Sequence, residues 1–268
     1  MTEERYDISK EIIGNGAYGM VYSAVDRFTG KVVAVKCMKH ILSSHAVFVQ
    51  TLREVSFNRI VRRQAPGAVV KMLDVVLAED GNEIRLVLER MPETLGRVIS
   101  TGIGRCSECH VIAYGILKCL SMLHSSGIVH RDLKPSNILV DRRCCPTKVV
   151  LCDLGMARAV TSSIHDTDDC CWTEYITTRW YRPPEVCTIS RPMSPDPVCL
   201  RAHMDCAADI WGAGCILAEL FSDNNKHALF PGKNAQHQAH LIGQLLGPMD
   251  ITTHTWYMGR SRNVYALR

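Results

Sequence analysis

The chain has 268 residues, enough for one large domain or two packed lobes with a sizeable core. Its 47% apolar and 22% charged residues are ordinary for a globular fold. A net charge of +4 is only mildly basic, and no Lys/Arg stripe with interleaved aromatics points to nucleic acid. The opening MTEERYDISK is polar and mixed in charge, unlike a signal or transit peptide. The longest apolar stretch, VIAYGILKCLSML, is interrupted by Lys118 and is too short to span a bilayer. A reducing, intracellular setting is therefore the expectation. Thirteen scattered cysteines do not suggest a disulfide framework in a chain of this length. CSECH, Cys106 to His110, has the spacing of a c-type haem site, but without an export signal it reads as a helix start with two incidental thiols. The pairs Cys144-Cys145 and Cys170-Cys171 read as loop thiols, and no four-ligand zinc spacing emerges.

In chain order, the first ninety residues read mostly as strands. YDISKEIIG and MVYSAVD flank a glycine-rich turn, and FTGK turns the chain into VVAVKCM. VVKMLDVVLA and IRLVLER are separated by EDGN, a hairpin signal. Between them, Ala46 to Arg63 has apolar residues at helical intervals, with Glu54 inside. After Met91 the character changes. A helix is predicted over about Ser107 to Ser126, with Val111, Ile112, Gly115, Ile116, Cys119, Leu120 and Leu123 on its apolar face and Gly127 at its end. NILV and KVVLC are short apolar runs around the turn DRRCCPT. DCAADIWGAGCILAELF is a further helical pattern, after a proline-rich loop at Ser190 to Val198. No internal repeat or low-complexity tract is found.

The chemistry begins with GNGAYGMV, Gly14 to Val21. A dinucleotide-binding fold uses similar glycines, but there the motif opens a helix. Here a strand follows, so the glycines would cap a hairpin able to close over phosphates. VAVK then places Lys36 on a strand, a point charge suited to phosphate oxygens, and Glu54 on the next helix could hold it by ion pairing. IVHRDLKPSNILV is the strongest block. A carboxylate at Asp132 able to accept a hydroxyl proton is followed by Lys134 and by the amide of Asn137, a candidate magnesium ligand. After one hairpin comes CDLG, where Asp153 is a hard oxygen ligand of the kind Mg²⁺ prefers.

Five such motifs in this order resemble the eukaryotic protein kinases over the whole chain. The resemblance implies an α+β, two-lobe fold: an antiparallel-sheet lobe with one helix over residues 1–90, and a mostly helical lobe over 91–268. It implies ATP and Mg²⁺ as cofactors. Gly14, Gly16 and Gly19 would form the phosphate-covering loop together with Asn15, Ala17 and Tyr18, and Val21 and Ala34 would line the nucleotide pocket. Lys36, paired with Glu54, would contact the α and β phosphates. Asp132 would be the catalytic base, Lys134 the γ-phosphate stabiliser, and Asn137 and Asp153 the metal ligands. Leu88 would be the gatekeeper, with Glu89 and Met91 offering backbone bonds to adenine. Leu154 stands where most kinases have Phe, a change of shape more than of chemistry. Cys152 borders this site and is expected to react with a cysteine-directed nucleotide-site inhibitor.

DDCCWTEYITTRWYRPPE, Asp168 to Glu185, resembles the activation segment of the mitogen-activated protein kinases, Thr-Glu-Tyr branch. The resemblance implies phosphorylation of Thr173 and Tyr175 by an upstream dual-specificity kinase, adding roughly −3 to −4 charge. Arg53, Arg131 and Arg158 would receive the first phosphate, and Arg179 and Arg182 the second. The implied substrates are proteins with Ser or Thr before proline. The protein is expected to be a monomer, outside the membrane, in the cytoplasm with the nucleus as an additional compartment. A cyclin-dependent-like kinase is the alternative within the class, and Tyr18 falls at its inhibitory tyrosine position. CTISRPMSPDPVCLRAHM is longer than the family pattern and reads as a tolerated insertion. By the same resemblance the last helices of the second lobe are expected to be lacking, and with them the arginine that normally pairs with Glu185, for which Arg260, Arg262 or Arg268 could substitute. A second functional class therefore stays open: a catalytically silent, nucleotide-binding interaction module.

Overall fold

The structure is a computed structural model that describes residues 5–16, 19–42, 45–78, 81–102, 106–160, 179–184, 187, 206–222 and 228–247. It forms two compact units, Met1–Ala159 and Val160–Arg268. The α+β class follows as expected from the order of strands and helices.

The first unit is built on a five-stranded sheet of β1 (Tyr6–Gly16), β2 (Gly19–Asp26), β3 (Val32–Lys39), β4 (Met72–Leu77) and β5 (Glu83–Glu89). Its spatial order is β1-β2-β3-β5-β4, with every neighbouring pair antiparallel. Because side chains alternate across a strand, directly opposed residues share a face. Val21 is opposite Lys36 and Ala34 is opposite Leu88, so these four lie on one face. Alternate positions Val33, Val35 and Cys37 on β3 pack with Tyr6, Ala24, Val76 and Val87 on the other.

One long helix, α1 (His45–Gln64), follows β3. Its Arg62 and Arg63 sit in the last turn, where cations complement the helix dipole. The buried positions Gln50, Thr51, Glu54, Asn58 and Val61 recur at helical spacing, so the buried stripe is mainly polar. Phe48, Leu52 and Ile60 are exposed. Buried polar groups need partners, and here Thr51 Oγ1 donates to the Val47 carbonyl at 2.8 Å and Asn58 Nδ2 to the Glu54 carbonyl at 2.7 Å.

Next come β6 (Glu93–Thr94) and two helices, α2 (Leu95–Thr101) and α3 (Cys106–Ser125). Thr94 caps α2, its hydroxyl accepting from the Arg97 amide. In α3, Ile112, Ile116, Cys119, Leu120 and Leu123 are buried at the predicted spacing. The CSECH residues open this helix, with Cys109 buried. Short strands β7 (Ile128–Val129), β8 (Ile138–Asp141), β9 (Lys148–Leu151) and β10 (Arg158–Ala159) carry the loops of the site: β8 pairs with β6 and β9, and β10 with β7.

The second unit contains a 3-10 turn at Arg179–Tyr181, helix α4 (Cys206–Leu220) and helix α5 (Ala235–Leu246). Trp211 of α4 stacks on Phe230 with centroids 6.1 Å apart. Asn234 caps α5 by accepting the His237 amide at 2.8 Å. The expected loop at Ser190 to Val198 and the stretch after Gly247 lie outside the described residues. Among the described residues no helix is long and apolar enough to cross a membrane.

Gly115 lets α3 press on β9, since a Cβ there would lie 2.7 Å from Val149 Cβ. Gly115→Ala is expected to lose about 1–2 kcal/mol of stability, overpacking outweighing the helix-propensity gain. Gly214→Ala, on the exposed side of α4 with nothing within 4 Å of the new Cβ, is expected to gain about 0.5–1 kcal/mol. Urea unfolding of the two variants checks the pair, and an unchanged Gly115→Ala midpoint would contradict the α3–β9 packing.

Candidate active site

Lys36 projects from β3 towards α1. Its Nζ donates to Glu54 Oε1 and Oε2 at 2.7 and 2.8 Å, and to Asp153 Oδ1 at 3.0 Å. Lys36 and Glu54 are each only 4% exposed, so the charges are nearly out of water. Burial alone would lower the Lys36 ammonium, but the Glu54 and Asp153 carboxylates outweigh it and hold Lys36 above its ordinary value. Burial would also raise Asp153, and the Lys36 charge and hydrogen bond hold it below the usual carboxylate range.

Asp153 sits at a backbone φ of +67°, in the left-handed region, and opens the 3-10 turn Leu154–Met156. Leu154 is fully buried. Gly155 follows, and a Cβ on it would come within 3.4 Å of Asp153 Oδ1 and 3.6 Å of Glu54 Oε2. This turn packs against α1, where Gln50 Nε2 donates to Met156 Sδ at 3.6 Å.

A second cluster lies on the loop between β7 and β8. Lys134 Nζ donates to Asp132 Oδ2 at 2.6 Å, and Asn137 Nδ2 donates to the same oxygen at 3.0 Å and to the Asp132 carbonyl at 2.8 Å. Fully buried His130 accepts the Asp132 amide on Nδ1 at 3.3 Å and donates through Nε2 to the Cys152 carbonyl at 2.9 Å. The Cys152 amide in turn donates to the Asn137 carbonyl at 2.9 Å. One histidine and one backbone bond therefore tie the Asp132 loop to the residue preceding Asp153. The role of His130 is not legible in the sequence, where its one signal is its place directly before Arg131 and Asp132.

The glycine segment is a hairpin between antiparallel strands, with Gly16 opposite Gly19. This is the strand–turn–strand arrangement, not the strand–turn–helix of a dinucleotide site. A Cβ on Gly19 would overlap the Cys37 carbonyl. Gly14 and Asn15 are described in β1, whereas Ala17 and Tyr18 lie outside the described residues. Leu88 ends the row on β5, Met91 is buried, and Glu89 accepts from Lys148 Nζ at 2.7 Å.

Asn137 commits its amide nitrogen to Asp132, which leaves its carbonyl oxygen for a cation; Asp153 keeps its Oδ2 beyond the Lys36 contact. Two carboxylates facing one ammonium leave a net negative charge. Among the described residues no group of three or more His, Cys, Asp or Glu forms a metal cage. The Asn137 and Asp153 oxygens would fit Mg²⁺, which takes one or two protein oxygens and completes its shell with phosphate and water.

Of the predicted phosphate-anchoring residues, Arg131 is buried with φ +69°. Arg158 lies on β10, opposite Val129 just upstream of Arg131. Arg53 lies on α1, which packs on Leu154–Met156. Arg179 and Arg182 belong to the second unit, where Arg179 Nη1 donates to the Lys233 carbonyl at 3.0 Å. Thr173, Tyr175 and Glu185 lie outside the described residues.

A model of the protein kinase domain matches residues 8–262. The chain belongs to the protein kinase family. Within it, the chain is 36% identical over 266 residues to mitogen-activated protein kinase 8 of Oryza sativa subsp. japonica, covering 98% of this chain and 42% of that protein. It is 36% identical over 248 residues to mitogen-activated protein kinase mpkB of Aspergillus fumigatus, covering 91% and 63%. It is 35% identical over 247 residues to mitogen-activated protein kinase 15 of Xenopus laevis, covering 91% and 39%. The chain thus spans less than two thirds of the length of each of these relatives.

Cys152 is partly exposed, and its surroundings work against the expected reactivity. Burial, reinforced by the Asp153 carboxylate, pushes the thiol far above its ordinary value and suppresses the thiolate that alkylation needs. At neutral pH, iodoacetamide is expected to label exposed Cys144 and Cys145 while Cys152 stays unmodified by peptide mass mapping. Labelling of Cys152 at the rate of the exposed pair would contradict this.

Proposed function

We propose that the protein is an ATP-dependent kinase that phosphorylates Ser or Thr followed by proline in other proteins. The observation that carries this reading is Lys36 bridging Glu54 and Asp153, within the same compact unit as Asp132, Lys134 and Asn137. Lys36, fixed by Glu54, binds the α and β phosphates as a point charge under the glycine hairpin. The acceptor hydroxyl oxygen bonds to the γ-phosphorus while the bond to the β–γ bridging oxygen breaks, ADP leaves, and the hydroxyl proton passes to Asp132. Among the described residues both side-chain donors to Asp132 fall on Oδ2, so Oδ1 is the oxygen available for that proton. Lys134, beside it, stabilises the transferring phosphoryl group. Mg²⁺ held by Asn137 and Asp153 would neutralise charge on the phosphate oxygens.

The names of the relatives extend this reading to a signalling cascade. In it an upstream dual-specificity kinase phosphorylates Thr173 and Tyr175. A phosphate on Thr173 would be received by Arg53, Arg131 and Arg158, which lie on α1, the Asp132 loop and the strand after Asp153. One anion shared by three elements would hold Glu54 and Asp153 at Lys36 through charge-assisted bonds. Arg179 and Arg182 are the proposed partners of phosphorylated Tyr175. A monomer acting in the cytoplasm and nucleus completes the proposal.

The test is transfer of radiolabelled phosphate to a Ser-Pro peptide after treatment with an activating dual-specificity kinase. Asp132→Asn is expected to lower kcat by about 10²–10⁴ while leaving ATP affinity unchanged. Thr173→Ala combined with Tyr175→Phe is expected to remove the activation. A folded, ATP-binding chain that transfers nothing would replace this reading with that of a nucleotide-binding interaction module.

A further inference from the structure

Two adjacent thiols stand at one end of a hairpin whose other end leads into the site. Strands β8 and β9 run antiparallel from Ile138 opposite Leu151 to Asp141 opposite Lys148, so the turn over 142–147 lies at the end away from Asn137 and Asp153. Cys144 and Cys145 are free, exposed thiols in this turn, whereas the other cysteines with described side chains are buried or half-buried. The turn is tied down around them. The Cys144 amide donates to the Asp141 carbonyl at 3.4 Å, and its thiol hydrogen-bonds to the Asp141 carboxylate. Arg143 Nε and Nη2 donate to the same carboxylate at 2.9 and 2.8 Å, and Arg142 Nε donates to Glu108 Oε1 on α3 at 2.6 Å. Consecutive residues have Cα atoms about 3.8 Å apart, short of the roughly 4.4–6.8 Å that an ordinary disulfide spans. A disulfide within the pair would be strained and readily reduced, so the dithiol is the stable form under a glutathione-type reductant. Among the described residues no group of three or more His, Cys, Asp or Glu could hold a metal ion, so the four ligands of a zinc-type site are not assembled here. A ligand that needs two sulfurs and nothing more fits the turn.

We propose that Cys144 and Cys145 form a binding site for trivalent arsenicals, with both sulfurs bridged by one arsenic. With phenylarsine oxide the arsenic–oxygen bond breaks and two arsenic–sulfur bonds form. The oxygen leaves as water with the two thiol protons, and arsenic stays trivalent. The site is independent of the kinase reading and is tested by binding alone. The whole chain is treated with equimolar phenylarsine oxide, washed with excess glutathione and digested with trypsin. Cleavage after Arg143 and Lys148 releases the peptide Cys144–Lys148, which holds both thiols and no other cysteine. This peptide is expected to carry the mass of the reagent less one water, to keep it through the glutathione wash, and to lose it to ethane-1,2-dithiol. Cys144→Ser and Cys145→Ser are expected to bind about 10²–10⁴-fold more weakly, because the second sulfur no longer acts at intramolecular concentration. Both positions are exposed, and matching far-UV circular dichroism is the control for folding. Arsenic that glutathione removes from Cys144–Lys148 as easily as from the variants would overturn the inference. So would arsenic carried by the peptide of the Cys170-Cys171 pair, Ala159–Arg179, while Cys144–Lys148 stays free.

Discussion

An ammonium withdrawn from water and shared between two carboxylates governs the first unit. Removing charges from solvent costs several kcal/mol per ion, and the return depends on short, complete hydrogen bonding. Lys36 meets that condition with three contacts between 2.7 and 3.0 Å. The arrangement contributes little net stability compared with an apolar replacement, but loss of one partner would strand a buried charge at about 3–5 kcal/mol. It acts as a gauge of geometry: β3, α1 and the Asp153 turn must all be in register for it to close. The positive φ at Asp153 and Arg131 is backbone strain of about 1–3 kcal/mol each, located where that register is set.

Much of the surrounding fold follows from the needs of this interaction. The sheet presents Val21, Ala34, Lys36 and Leu88 on one face. The polar buried stripe of α1 faces the site instead of an ordinary core, with Glu54 towards Lys36 and Gln50 towards Met156. The Asp132 loop is brought to the same neighbourhood by His130 and the Cys152–Asn137 backbone bond. The surroundings that hold the Lys36 ammonium charged also push the Cys152 thiol above its ordinary value.

The strands, the α3 face and the charged motifs were legible because each follows a local rule: period-two alternation, a 3.6-residue apolar stripe ending at Gly127, and fixed spacing from Asp132 to Asn137. Helix α2 was not foreseen. It is seven residues long and contains Gly96, and its signals were only Thr94 before it and Gly102 after it. The direction of α1 was also hidden. An apolar-inside rule would bury Phe48, Leu52 and Ile60, yet these are exposed, because Glu54 must reach Lys36 and that fixes which face turns inward. The raised Cys152 thiol was not legible for the related reason that adjacency to Asp153 in sequence says nothing of desolvation. The hydrogen bond from buried Gln238 to the Trp180 carbonyl could not be read from the chain, since the two are 58 residues apart and no periodic pattern joins them.

The central claim is that paired carboxylates outweigh burial at Lys36. The direct measurement is a pH titration of the Lys36 Cε and Hε resonances in protein labelled with ¹³C-lysine, assigned with a Lys36→Met variant. A lysine raised by its partners contributes stability that is full below its unfolded value and fades as pH rises through the higher folded one. The account predicts that Lys36 stays protonated past its ordinary value of 10.5. Deprotonation of Lys36 below that value would show that desolvation wins and would contradict the account.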